Sequence, residues 1–159
     1  MQARDFKTVA ELREAFPSAF LADGTVDLSR KRGIRTIPRD MTVERHLILD
    51  DCPDLIETPD GLKVKGWACI SGCHSLEKIG KAEVTGSFQV TACGRLHEIS
   101  PDLKSGELLI IYCASLSHIP PTVRVERSVS LSFCPELKEV PWDLGKLSEV
   151  PSVLWAAHP

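Results

Sequence analysis

The chain has no excess of positive charge, with 19 Lys and Arg against 22 Asp and Glu and a formal charge of −3. That balance argues against the basic surfaces on which dedicated nucleic-acid and anionic-membrane binders depend. No apolar run approaches the ~20 residues that span a bilayer. The opening residues Met1-Gln-Ala-Arg-Asp-Phe-Lys7 hold no apolar signal core, so neither a membrane span nor classical secretion is expected. A Gly-rich phosphate loop and a paired-carboxylate arrangement are both missing. His46, His74, His97, His118 and His158 are scattered, so no metal site and no cofactor are expected. What is present is a 159-residue chain, 43% hydrophobic, which suits one soluble domain rather than a disordered segment, and six cysteines.

The cysteines act as a ruler. Cys52, Cys73, Cys93, Cys113 and Cys134 are separated by 21, 20, 20 and 21 residues, and only Cys69 stands outside the series. A zinc site needs close pairs, whereas a fixed period of 20 to 50 residues marks a stacked repeat. Position −5 from each cysteine holds Leu47, Ala68, Phe88, Leu108 and Val129, and position −3 holds Leu49, Ile70, Val90, Ile110 and Leu131. Position +3 is always Leu, at 55, 76, 96, 116 and 137; position +6 holds Thr58, Ile79, Ile99, Ile119 and Val140. An earlier copy fits with Lys31 in the cysteine slot and Val26, Leu28, Ile34 and Ile37 around it. Of these 24 slots 23 are apolar, which independent draws would give with a probability on the order of 10⁻⁸. Thr58 is the one break.

Two copies read Leu47-Ile-Leu49-Asp-Asp-Cys52-Pro-Asp-Leu55-Ile-Glu-Thr-Pro59 and Leu108-Leu-Ile110-Ile-Tyr-Cys113-Ala-Ser-Leu116-Ser-His-Ile119-Pro120. This unit resembles a leucine-rich repeat, and more narrowly the short repeats of bacterial proteins, over residues 25–147. The resemblance implies an α/β repeat solenoid with parallel strands on a concave face. It also implies kinship with bacterial effectors delivered into host cells, many of which carry a catalytic domain beside the repeats. This chain has no long segment outside the repeats, so such an activity is not expected here.

The alternating stretch before each cysteine predicts a strand whose −5 and −3 side chains enter the core. The cysteine behind it is expected inward as a small, weakly polar thiol, and repeated free thiols suit a reducing, cytoplasmic compartment. Runs such as Pro59-Asp-Gly-Leu62-Lys-Val64 and Pro120-Pro-Thr-Val123-Arg-Val125 are too short for helices, so the convex side is expected to be extended or 3₁₀. Residues 1–24 are expected to cap the solenoid. There Thr8-Val-Ala-Glu11 matches a capping box, and Val9, Leu12 and Phe16 share one helical face before Pro17, predicting a helix over 8–16, with Phe20 and Leu21 completing the cover. Trp142, Leu144 and Leu147 continue the last repeat, while 148–159 is expected to be a cap or a frayed tail.

Positions −6, −4 and −2 should face outward on the concave side. Most are small or polar, but Ile48, Trp67, Leu109 and Ile111 are apolar, and Trp is favoured at binding hot spots. The expected function is a non-enzymatic interaction module that binds a protein partner around Trp67, with Asp50, Gln89 and Glu107 as a polar rim. Cys69 lies on the same face. Cys69-Ile-Ser-Gly-Cys73-His74 misses the C-x-x-C spacing by one residue, and His46 is the only base nearby, so a thiol enzyme is a remote alternative. A self-associating homo-oligomer is the structural alternative. The basic group Arg30-Lys31-Arg32, with Arg35 and Arg39, reads as the solvated loop of an edge turn.

Overall fold

The computed structural model describes residues 2–141 and the backbone of 152–155, and in it the chain winds as a parallel β-solenoid. A wide sheet runs in the order Val26–Asp27, Leu47–Ile48, Ala68–Ser71, Ala82–Thr91, Lys104–Ile111, Arg124–Ser132 and Ser152–Trp155. Every rung pairs in parallel with the next, and Val26, Leu47, Ala68, Phe88, Leu108 and Val129 stand opposite one another. A narrow sheet on a second side holds Arg4–Asp5, Ile34–Thr36, Glu57–Thr58, Lys78–Ile79 and Glu98–Ile99. Thr42–Val43 and Leu62–Val64 pair on a third side, which the first residues of Ala82–Thr91 continue.

This corrects the α/β expectation. The turns up to Ile99 are strand on three sides, the later ones on two, and the solenoid turns carry no helix among the described residues. The reason lies in the alternation. Met41 with Val43, Leu62 with Val64, and Ala82 with Val84 repeat the inward period of two on the third side, so these stretches pair as ladders. All three sides bury their apolar residues in one core. Leu28, Ile34, Leu47, Leu49, Leu55 and Leu76 are fully enclosed, each contributing about 1.5–3 kcal/mol by leaving water.

Turns of 20 and 21 residues coexist because the corners absorb the difference. Between the third side and the wide sheet two residues turn the corner at Thr85-Gly86, but only Gly106 does so one turn later, where the register shifts between Ser105 and Glu107. Gly66, Gly86 and Gly106 occupy equivalent corners. A Cβ on Gly86 would lie 2.8 Å from the Gly66 carbonyl oxygen, so the stacked backbones approach too closely for a side chain.

The cysteine ladder is inward and free, with all five members at most 4% exposed. Each thiol donates to the position −3 carbonyl of the preceding turn, at 3.1 Å from Cys52 to Leu28 and 2.8 Å from Cys73 to Leu49, and at 3.8–3.9 Å in the later turns. A weak S–H donor thereby links each turn to the one before it from inside the core.

At the N-terminal end one α-helix, Val9–Ala15, starts where the capping box places it. Thr8 Oγ1 accepts from the Glu11 N–H at 3.1 Å. Leu12 is fully buried, and the Phe16 ring lies 5.9 Å from that of Phe6, a core residue not anticipated from the sequence. Arg4–Asp5 extends the narrow sheet by pairing with Ile34–Thr36. Phe20 packs on the core, but Leu21 is 47% exposed and does not complete the cover. Arg39 meets Asp60 at 4.0 Å on the surface, whereas Arg35, expected in the same solvated loop, stands on the Ile34–Thr36 strand and meets Asp5 at 3.3 Å. At the other end Ser152–Trp155 pairs with Arg124–Ser132, Val153 opposite Val129, so the sheet gains a rung 24 residues on. Trp142, Leu144 and Leu147 lie outside the described residues.

Candidate functional site

The wide sheet presents three outward rows at positions −6, −4 and −2, bordered by a fourth at −1 where each strand ends. The −4 row runs Asp27, Ile48, Cys69, Gln89, Leu109, Ser130 in register. Ile48 and Leu109 therefore stand three rungs apart, about 14 Å at ~4.8 Å per rung. The single apolar patch expected around Trp67 is two patches. One holds Ile48 and Trp67, the other Leu109 and Ile111, and Cys69 and the exposed Gln89 lie between them.

Trp67 is 37% exposed and not isolated. Its ring stacks on His46 with centroids 4.3 Å apart and planes 18° from parallel, and its backbone N–H donates to His46 Nδ1 at 3.1 Å. That bond makes Nδ1 the acceptor and leaves Nε2 to carry the proton of the neutral ring. His46 is thus a support for Trp67 rather than a base aimed at Cys69. Cys69 is half-buried, and loss of solvent together with the Asp50 carboxylate beside it pushes its thiol up to about 12. A group so strongly held as thiol is a poor nucleophile at neutral pH.

The carboxylates of the rim differ in how far they are occupied. Asp27 accepts from the Ser29 N–H at 3.0 Å and from its hydroxyl at 2.6 Å. Glu107 accepts from the Ser128 hydroxyl at 3.3 Å and faces Arg127 at 3.6 Å. Asp50 keeps a buried oxygen, Oδ1, without a hydrogen-bond partner. Asp27, Asp50 and Glu107 are the acidic members of the three rows from Thr25, itself buried, to Ser132, which contain no Lys or Arg.

The border row carries the features that the sequence reading passed over. Arg30, Asp51, Gly72, Ala92, Tyr112 and Phe133 all have left-handed backbone, with φ from 53° to 66°. Every turn needs this conformation at position −1, because it ends the strand and sends the next residue, the cysteine, into the core. Glycine adopts it freely, as Gly72 does. A bulky aromatic there is an outlier, costing about 1–2 kcal/mol. Yet two successive turns place aromatics at this position, 56% and 48% exposed, stacked with centroids 4.5 Å apart and planes 13° from parallel. The signal was available in the cysteine ruler, one step before Cys113 and Cys134, but alternation of period two does not mark that position as part of the face.

The described residues hold no cluster of three or more His, Cys, Asp or Glu arranged to bind a metal, and no helix among them is long and apolar enough to cross a membrane. Fold and surface together define a parallel β-repeat solenoid with one ordered, chemically uneven sheet face. Comparison of the chain with family models, with curated proteins and with solved structures gives no match.

Proposed function

We propose that this chain is a non-enzymatic interaction module of leucine-rich-repeat type, whose wide sheet binds a protein partner. The observation that carries the reading is the Tyr112–Phe133 pair. Strained left-handed backbone persists where the surroundings impose it, and it concentrates at functional sites. Here the strain is spent on exposing two stacked rings beside Leu109 and Ile111, where Gly72 shows that a residue without strain suffices for the turn. With Trp67 at the opposite border, the sheet offers aromatic anchors on both sides of a mostly small, polar floor. Solenoids commonly bind through such extended sheet surfaces. The protonated state of Cys69 and the engagement of His46 with Trp67 speak against the thiol-enzyme alternative.

The 20- and 21-residue period and the apolar slots support the kinship with short bacterial repeats, and cytoplasmic residence or delivery into a host belongs to the same proposal. The test is partner capture from the native cell with Trp67→Ala, Leu109→Glu and Tyr112→Ala. Each variant should lose the captured protein while unfolding like the parent. Retention of the partner by all three overturns the reading. A mass that rises with concentration in light scattering would replace it by self-association.

A further inference from the structure

The border row changes character along the solenoid. Two charged residues, Arg30 and Asp51, are followed by two small ones, Gly72 and Ala92, and then by Tyr112 and Phe133. The row is in strict register. Asp51 N–H donates to the Ser71 carbonyl, Gly72 N–H to Thr91, Ala92 N–H to Ile111, and Tyr112 N–H to Ser132, at 2.7–3.1 Å. Successive members therefore sit one rung, about 4.8 Å, apart. Gly72 and Ala92 form the floor of a notch two rungs wide.

The walls of this notch are specific. Tyr112 lies nearly parallel to Phe133, the next member of the row, so Phe133 covers one face of its ring only. The other face of Tyr112 lies on the Ala92 side of the pair. From the other side the Asp51 carboxylate leans over Gly72, since a Cβ on Gly72 would collide with Asp51 Oδ1. Asp51 is exposed and forms no salt bridge among the described residues. Asp50, with its unpartnered Oδ1, lies on the same rung one position back.

We propose that this notch takes an arginine side chain of the partner protein, an inference that rests on the protein-binding reading above. A guanidinium is planar, stacks on an aromatic face and is less strongly hydrated than an ammonium. Placed over Ala92 and stacked on Tyr112, it turns its other face toward Asp51, whose carboxylate one rung away attracts its charge rather than bonding its edge. The outer rows of the sheet add three carboxylates; Glu107 already faces Arg127 at 3.6 Å and Arg30 stands next to Asp51 in the border row, so the negative charge that favours a basic segment lies around Asp50 and Asp51. Glycine at 72 leaves room for the Asp51 carboxylate, and alanine at 92 leaves room for the incoming group.

Tyr112 is the only tyrosine of the chain, so ¹³C-tyrosine labelling gives a single ring signal that reports on the notch. The probes are N-acetyl-L-arginine amide and its neutral isostere N-acetyl-L-citrulline amide, titrated into the full chain. The arginine amide should move the ring signal along a saturable curve, and the citrulline amide should bind at least about five-fold more weakly. Asp51→Asn keeps a residue that tolerates left-handed backbone and should weaken arginine binding at least about three-fold, while Lys63→Ala, on the third side, leaves it unchanged. An unmoved ring signal, equal binding of the two amides, or wild-type binding by Asp51→Asn overturns the inference. If the arginine amide fails while Trp67→Ala and Leu109→Glu still abolish capture, the sheet binds its partner by other chemistry and only this inference falls. Capture that survives those variants removes the wider reading instead.

Discussion

Thr58 is the one polar residue among the 24 slots of the repeat, and its replacement by valine tests whether the slots have the physical meaning assigned to them. Thr58 is fully enclosed, its Oγ1 has no hydrogen-bond partner, and it stands opposite Ile79 in the narrow sheet. Leaving a buried hydroxyl unpaired costs about 1–3 kcal/mol. Valine has the same branched shape, suits a strand equally well, and replaces the hydroxyl with a methyl without opening a cavity. Thr58→Val should therefore raise stability by about 1–3 kcal/mol. For a chain of this size each kcal/mol moves Tm by about 2–4 °C, so a gain near the middle of that range is a rise of about 4–8 °C. The assay is urea unfolding followed by far-UV circular dichroism, with a higher midpoint and an unchanged slope. The reciprocal change, Ile79→Thr, places a second hydroxyl in the same ladder and should lose about 2–4 kcal/mol. A Thr58→Val midpoint at or below that of the parent would refute the argument, because it would mean that the hydroxyl is satisfied or that the slot is not apolar.

The corner glycines and Cys69 give further tests. Gly86→Ala forces a Cβ against the Gly66 carbonyl and should destabilise by about 1–3 kcal/mol in the same unfolding assay, whereas Gly94→Ala, with open space around it, should change stability by no more than about 1 kcal/mol. The thiol of Cys69, pushed up to about 12 by burial and by Asp50, should react with iodoacetamide at pH 8 about 10³-fold more slowly than an unperturbed cysteine. Because the thiolate is the reactive form, the rate should keep climbing as pH rises past 9, and Asp50→Asn should raise it at pH 8. A rate that levels off near pH 9 would contradict this environment.

Much of the fold was legible because a solenoid repeats its constraints. The apolar slots at −5, −3, +3 and +6 recur in every turn, so a local pattern is sampled six times and stands clear of chance. The N-terminal helix was legible for a different reason, since Thr8, Glu11 and the Leu12–Phe16 face carry a complete local capping code. The third side was legible only as extended or 3₁₀ chain, because Pro59 and Gly61 interrupt the pattern of 59–64, and pairing with neighbouring turns is what makes Leu62–Val64 a strand. Ser152–Trp155 escaped because its spacing of 24 residues broke the ruler, although Val153 keeps the alternation. For the candidate site, Trp67, Asp50 and Cys69 were found by period-two reasoning, but their connections were not. Whether Ile48 and Leu109 make one patch depends on rung distance, which alternation cannot express.

The sequence by itself determined the winding period, the inward direction of five cysteines and the outward direction of three rows, because burial of apolar side chains at regular intervals admits one register. The tertiary structure decided what those rows amount to. Only stacking of turns shows that Trp67 leans on His46, that Tyr112 and Phe133 stand exposed on left-handed backbone, and that Asp51 faces Tyr112 across a two-rung floor. Those are contacts between residues 20 or more positions apart, and their energies depend on distances of a few ångströms that exist only once each turn has been laid on the last.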